Sequence, residues 1–104
     1  MTISYMAQAS KFLAKVPDDN VFWCHDSCVM KDMSELAQAL NKMTDETYNY
    51  HANTEKNDFA NWVSDVIGDK ELAGNLRKAT NRVQAAKLVS NRIAYLNKYT
   101  AKAV

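Results

Sequence analysis

The sequence predicts a mainly α fold: a compact helical domain of five or six helices with one short β-hairpin. Its 104 residues suit a single domain over residues 1–104, and an apolar content of 47 % is too high for wholesale disorder. Only two glycines and one proline occur, whereas sandwiches and barrels need many turn residues. Apolar residues instead recur at helical spacing in most segments, which favours helices.

The N-terminal third is predicted to form one helix and the hairpin. The helix covers residues 2–16 and ends at the turn 17–20, because proline and Asx residues favour turns. Two β-prone runs within residues 21–30 flank a polar turn, as is typical of a hairpin. A lone hairpin is only marginally stable in water, so we expect Phe22 and Trp23 to pack it onto the helices. The apolar side chains assigned to the first helix are Ile3, Met6, Phe12, Leu13 and Val16.

Capping residues mark the next two helices. Asp32 and Glu35 form the Asp-x-x-Glu pattern of a capping box, and apolar residues follow at helical spacing as far as Met43. Thr44 is the expected N-cap of a third helix that ends near Ala52, with acidic residues in its favourable first turn.

A polar break at residues 53–56 precedes the three C-terminal helices. The fourth helix continues to Ile67 and stops at Gly68, a typical residue after a helix C-terminus. Asp69 is expected to cap a short fifth helix, and a long basic sixth helix covers residues 81–99. The predicted core consists of Leu36, Leu40, Phe59, Val63, Val66, Val89, Ile93 and Leu96.

Charged side chains are segregated along the chain, although the formal net charge is only +1. Residues 17–71 carry all twelve acids against four bases, a balance of −8, and residues 72–104 carry seven bases and no acid. The two segments can pair within one monomer or between copies of the chain. We therefore expect a polarised surface and a protein partner, including a second copy of the chain.

A run of motif residues extends over residues 21–76. It consists of Phe22-Trp23-Cys24-x-Asp26, Leu36-Ala37-x-x-Leu40, Tyr50-His51 and Lys56-Asn57-Asp58-Phe59-Ala60-x-Trp62-Val63-x-Asp65-Val66-x-Gly68-Asp69-x-x-Leu72-Ala73. This run resembles an uncharacterised family of small helical domains of archaea and bacteria, although that family usually has glycine where Ser27 stands here. Because no activity is established for the family, the resemblance implies a compact helical domain and assigns no reaction.

Five of the motif residues form the candidate binding site: His51, Asn57, Asp58, Trp62 and Asp65. They could build a small polar pocket or a peptide-binding face with the Trp62 indole as its floor, because an indole offers apolar area and one donor. The same residues also fit a structural role, in which Asn57 or Asp58 ties the loop to the backbone, Trp62 is core and His51 is a hydrogen-bonded hinge. The sequence leaves both interpretations open.

A metal or catalytic site has less support in the sequence. Cys24 and Cys28 give half of the usual zinc-ligand spacing, but no second ligand pair follows. No nucleophile elbow and no Gly-rich phosphate loop occurs. The sequence therefore predicts a protein that is not an enzyme and needs no metal and no cofactor. A small-ligand or metal site near Cys24, His51 and Asp58 is the third functional hypothesis.

The C-terminal helix carries the candidate interface, which consists of Lys87, Tyr95, Lys98, Tyr99 and Lys102. Tyrosines are enriched at protein interfaces, and lysines on one helix face could contact an acidic protein or phosphates. The leading hypothesis is a non-enzymatic protein-interaction module that self-associates, and nucleic-acid binding through this basic helix is the alternative. Nucleic acid is the weaker partner because the acidic middle of the chain would repel it. With no long apolar segment and no secretory leader in the sequence, we expect no membrane partner and a cytoplasmic location.

Overall fold

The secondary-structure elements follow the predicted order. The computed structural model describes residues 2–25 and 28–100, with side chains from residue 7 onward. Within these residues the chain forms six α-helices and one two-stranded antiparallel hairpin, which confirms the predicted fold class. The elements are α1 (Thr2–Leu13), β1 (Phe22–Trp23), β2 (Val29–Met30), α2 (Met33–Lys42), α3 (Asp45–His51), α4 (Asp58–Trp62), α5 (Lys70–Lys78) and α6 (Arg82–Thr100).

The first helix is shorter than predicted, since α1 ends at Leu13 rather than at Val16. Pro17 explains the difference, because a proline disfavours helical backbone in the residue before it. The Val16 N–H instead donates to the Lys31 carbonyl at 2.8 Å, which joins this segment to the start of α2. A short 3-10 turn over Asp18–Asn20 follows, where the sequence predicts a turn.

The hairpin pairs Phe22 with Met30 and Trp23 with Val29. Phe22 and Met30 are buried in the core, whereas Trp23 faces solvent. The hairpin therefore contributes only one of its two predicted aromatic anchors to the core. Several predicted features lie outside the described residues, namely the hairpin-turn residues Asp26 and Ser27, the side chains of Ile3 and Met6, and Lys102.

Every helix after the hairpin begins with a side-chain cap. In each case the side-chain oxygen of the capping residue accepts a hydrogen bond from the N–H three residues further on. One bond differs from the predicted capping box: the Glu35 carboxylate accepts from the N–H of Lys31 rather than from that of Asp32. Each cap is worth about 1 kcal/mol because it satisfies a backbone donor at the helix start. The caps are Asp32 for α2, Thr44 for α3, Asn57 for α4, Asp69 for α5 and Asn81 for α6.

A π-helical turn over Val63–Ile67 continues α4, a feature that the sequence pattern does not predict. It ends at Gly68, whose φ of 93° lies in the left-handed region that favours glycine. The N–H groups of Gly68 and Asp69 both donate to the Val63 carbonyl, at 2.8 and 3.1 Å. The wider turn shifts the residues beyond α4 away from a regular helical face, and Asp65 is exposed to solvent.

The core lies where α6 packs against α1 and α2, and it continues between α4 and α5. Six of the eight predicted core residues are buried, whereas Val66 and Ile93 are partly buried at the edge of the core. Four large apolar residues that are fully buried are absent from that prediction: Met30, Met33, Leu72 and Leu76. The hairpin and the caps together position α3, α4 and the π turn, where the five candidate binding residues lie.

Candidate functional site

His51, the last residue of α3, is buried and uses both of its ring nitrogens. Nε2 accepts a hydrogen bond from the backbone N–H of His25 at 2.9 Å, and Nδ1 lies 3.0 Å from Asp58 Oδ2. Since Nε2 is the acceptor, the proton is on Nδ1 and is donated to the carboxylate. The rings of Phe22 and Phe59 meet the imidazole edge-on at 5.2 and 5.3 Å between centroids. The imidazole therefore ties the hairpin to α4.

Asp58, the first residue of α4, is the charged partner of this imidazole. Its Oδ2 also accepts a hydrogen bond from Lys56 Nζ at 3.1 Å. Burial acts to raise the pKa of the Asp58 carboxyl, but the hydrogen bonds from His51 and Lys56 outweigh it and hold the pKa below its ordinary value of 3.8. Asp58 is thus an ionised carboxylate that binds both the buried His51 imidazole and the exposed Lys56 ammonium group.

Asn57 and Trp62 also bond to backbone. Besides capping α4, Asn57 donates from its amide nitrogen to the Leu76 carbonyl at 3.1 Å, which fixes the start of α4 against the end of α5. The Trp62 indole is buried and donates to the Asn20 carbonyl at 2.9 Å. The Asp65 carboxylate is exposed and makes no hydrogen bond within the described parts of the chain. Four of the five candidate binding residues thus hold elements together, and Asp65 stands apart from them.

Next to this buried cluster lies a row of exposed rings, here called the aromatic row: Trp23, His25 and Tyr50. Trp23 is 71 % exposed and Tyr50 is 51 % exposed. Trp23 and His25 are exposed whereas Cys24 between them is buried, which puts Trp23 and His25 on the solvent side of the hairpin. The His25 ring stacks on Tyr50 with 4.0 Å between centroids, and Lys56 Nζ lies 5.0 Å from the centre of the Tyr50 ring.

An open polar groove of about 730 Å³ lies beyond Lys56, between the α3–α4 loop and the α5–α6 junction. Its charged lining residues are Lys56, Arg77 and Lys78 and the single acid Glu55. Because Lys56 is paired with Asp58, Arg77 and Lys78 provide the excess of positive charge over Glu55. Of the five candidate binding residues only Asn57 lines it. The groove residues are Tyr48, Asn49, Ala52, Asn53, Thr54, Glu55, Lys56, Asn57, Asn61, Arg77, Lys78, Ala79 and Thr80.

The sequence carries one signal for this groove, the spacing of its asparagines. Asparagine recurs at every fourth position, at 49, 53, 57 and 61, and all four line the groove. In a continuous helix such spacing would be a single face. Here the break at 53–56 bends the row of amides around the groove, which only the tertiary structure reveals.

The candidate interface on α6 is partly exposed. Lys87 and Lys98 face solvent, and Tyr95 is 41 % exposed. The Tyr99 hydroxyl donates to that of Tyr95 at 3.3 Å, and the two rings meet edge-on at 5.4 Å. Lys102 lies outside the described residues. The helix thus presents two lysines and one tyrosine pair to solvent.

The segregated charges pair in part within the monomer. Arg92 forms two hydrogen bonds to the buried Asp69, at 2.7 and 3.1 Å. Burial acts to lower the pKa of Arg92, but the hydrogen bonds and charge of Asp69 outweigh it and raise the pKa. Arg82 bonds to Asp45 and to two carbonyls of α2. Two arginines of the basic segment are therefore already occupied by the acidic segment.

In the described ranges, no group of three His, Cys, Asp or Glu side chains converges where a metal ion could bind. Cys24 is buried and Cys28 half-buried, and the Cys24 N–H donates to the Cys28 carbonyl at 2.8 Å across the hairpin. None of the helices described here is long and apolar enough to cross a lipid bilayer.

No protein-family model, curated protein or solved structure matches the chain. The family resemblance of residues 21–76 therefore stays a prediction. The function has to be inferred from the surfaces themselves.

Proposed function

We propose that the protein is a non-enzymatic protein-interaction module that associates with a second copy of itself through the aromatic row. The observation that carries the proposal is the exposure of Trp23, at 71 %. Tryptophan and tyrosine dominate the binding energy of protein interfaces because each buries a large rigid surface at low entropic cost. Full burial of an exposed aromatic side chain is worth roughly 1.5–3 kcal/mol.

The row is held rigidly, which lowers the entropic cost of binding. His25 stacks on Tyr50, and its backbone N–H is bonded to the buried His51. The His25 ring is thus fixed against α3 by a ring contact with Tyr50 and a backbone bond to His51.

The His51–Asp58 pair supports a role other than catalysis. A general base needs a free lone pair within reach of a substrate proton. The only acceptor nitrogen of His51 is occupied by the His25 N–H, and the imidazole is buried among aromatic rings. Both ring nitrogens of His51 are therefore used in hydrogen bonds that hold the hairpin against α3 and α4.

A second copy fits the charges that remain exposed after pairing within the monomer. The exposed acids Glu46 and Asp65 and the exposed bases Lys87 and Lys98 make no ion pair with any described residue. Exposed charges of opposite sign on two copies of one chain can orient the copies and speed their encounter. We expect these charges to set the relative orientation of two copies, and the aromatic row to provide most of the interface area that is buried.

Sedimentation velocity over a range of concentrations, at low and high salt, tests the proposal. We expect Trp23→Ser to weaken self-association about ten-fold or more, as for a central aromatic contact. Tyr95→Ser is the matched control, because it removes another exposed ring but lies on α6. A strictly monomeric wild type at both salt concentrations contradicts self-association. If Tyr95→Ser alone weakens it, the contact lies on α6 instead.

A further inference from the structure

Tyr48, which lines the polar groove, has a hydroxyl with no hydrogen-bond partner among the described residues. The residue is only 4 % exposed, and its hydroxyl makes no hydrogen bond to any described residue. No polar side-chain atom of the described residues is both completely buried and unpartnered. The Tyr48 hydroxyl therefore reaches solvent, and Tyr48 is one of the residues that line the groove. A tyrosine hydroxyl that is open to solvent can donate to and accept from a ligand.

Arg77 is the groove cation that the fold leaves uncompensated. One guanidinium nitrogen donates to the amide oxygen of Asn61 at 2.9 Å, and no carboxylate of the described residues pairs with it. A neutral amide orients the guanidinium without cancelling its charge. The remaining donors form a fork that matches a carboxylate. Lys78, the next residue and also unpaired, adds a second positive charge.

The four groove amides divide into two pairs. Asn53 and Asn57 are used to build the wall, because Asn53 bonds to the N–H groups of its own loop and Asn57 to α4 and α5. Asn49 has no side-chain bond to a described residue, and Asn61 uses only its oxygen. Their free amide groups offer both donors and acceptors, which is the combination that a peptide backbone requires.

We propose that this groove binds an extended acidic peptide segment of a partner protein. Its carboxylates would bind Arg77 and Lys78, and its backbone would bond to Asn49, Asn61 and the Tyr48 hydroxyl. An acidic segment follows from the excess of positive charge in the groove, and an extended one from the mixed donors and acceptors along its sides. The proposal goes beyond the self-association proposed above, since the groove and the aromatic row share no residue, although Lys56 and Asn53 of the groove contact Tyr50.

Fluorescence anisotropy with a labelled octaglutamate peptide tests this assignment, at about 50 mM salt where charge contacts are strongest. We expect the double variant Arg77→Gln, Lys78→Gln to weaken binding about ten-fold or more, because it removes two charge-assisted contacts. The matched control is Lys87→Gln with Lys98→Gln, which removes the same charge from α6. We expect that control to weaken binding less than about two-fold.

Tyr48→Phe keeps the net charge and the buried ring, and we expect it to weaken binding about three-fold or more through loss of the hydroxyl contact. Trp23→Ser should bind the peptide normally, which separates this proposal from self-association. Equal losses in the two double variants would show attraction to net charge alone and overturn the site. Binding of citrate without binding of octaglutamate would overturn the peptide assignment in favour of a small carboxylate.

Discussion

The two ends of α5 treat their charges in opposite ways. At the N-terminal end, the buried Asp69 carboxylate caps the helix and receives two hydrogen bonds from Arg92. At the C-terminal end, Arg77 and Lys78 are exposed, and Arg77 is bonded only to the neutral amide of Asn61. One helix therefore has a compensated end, where the charges are paired, and an open end, where the positive charges have no acidic partner among the described residues.

The difference separates charges that folding requires from charges that folding leaves available. A buried carboxylate must be paired and hydrogen-bonded, because an isolated buried ion costs several kcal/mol. An exposed cation has no such requirement, since water solvates it. Asp69 is thus explained by the fold, whereas the charge of Arg77 is available to a ligand. Substitutions at the two ends should therefore differ in what they change.

The largest effect is expected for Asp69→Ala. It removes the α5 cap and leaves the partly buried Arg92 with only the exposed Glu71, at 3.5 Å, as an acidic neighbour. The two losses together should lower the free energy of unfolding by about 3–5 kcal/mol. Since small domains are stable by only about 5–15 kcal/mol, this change approaches unfolding. Chemical denaturation followed by circular dichroism measures it.

Two further variants separate the parts of that effect. Asp69→Asn can still cap α5 but cannot neutralise Arg92, so it should be milder by about 1 kcal/mol, the value of a cap. Asp65→Ala removes an exposed acid with the same change in net charge, and it should stay within about 0.5 kcal/mol of wild type. A large loss in Asp65→Ala would mean that net charge, rather than the buried pair, controls stability.

The variant Asp58→Asn tests whether the charge of Asp58, like that of Asp69, contributes to the stability of the fold. The pKa of Asp58 is lowered in the folded protein, so the unfolded chain binds the proton more readily and the ionised pair stabilises the fold above the ordinary value of 3.8. That stability is lost as the pH falls through the lower folded pKa. Asp58→Asn should lower stability at neutral pH by about 1 kcal/mol through loss of a charged bond. It should also reduce the loss below about pH 4, as measured by urea titration at each pH.

The matched control for this titration is Asp65→Asn, which removes an exposed carboxylate seven residues further along the chain. It should leave the acid dependence of stability almost unchanged, because the Asp65 carboxylate has no partner among the described residues. Should Asp58→Asn retain the full acid dependence of wild type, the His51–Asp58 bond contributes nothing in solution.

Most of the fold could be predicted because its signals are local. Asp32, Thr44 and Asp69 each cap the helix that the sequence assigns to them, and Gly68 ends the fourth helix. These positions depend on a few neighbouring backbone groups. The π turn could not be predicted in this way, since Val63–Ile67 reads as ordinary helix and its wider hydrogen bonding is a result of packing.

The site was less predictable because its parts come from distant segments. The sequence singles out His51, Asn57 and Asp58 but gives no distance between them and His25 or Leu76, to which they bond. The pairing of Arg92 with Asp69 joins residues 23 positions apart. Charge segregation predicts that acids and bases can meet, but only the packing of α6 decides which arginines are paired in the monomer.

Gly74 lies between the two ends of α5 and allows the helix to be stabilised without touching either. A methyl group at this position would meet no atom within 4 Å, and an alanine is favoured over glycine in a helix by about 0.8–1 kcal/mol. Gly74→Ala should therefore raise the midpoint of thermal unfolding while leaving octaglutamate binding unchanged. Gly68→Ala is the contrasting variant, because its φ of 93° would strain an alanine by about 1–2 kcal/mol. A destabilising Gly74→Ala would show that α5 is constrained along its whole length.

The smallest change in stability is expected where the functional change is largest. Arg77→Gln should alter the free energy of unfolding by no more than about 0.5 kcal/mol, the value of an exposed charge near a helix C-terminus. Arg92→Gln, the same substitution at the compensated end, should lower it by about 3 kcal/mol or more because it leaves Asp69 buried and unpaired. Parallel denaturation of the two variants measures this difference. If Arg77→Gln is as destabilising as Arg92→Gln, the fold requires both ends of α5 and the open end has no spare charge for a ligand.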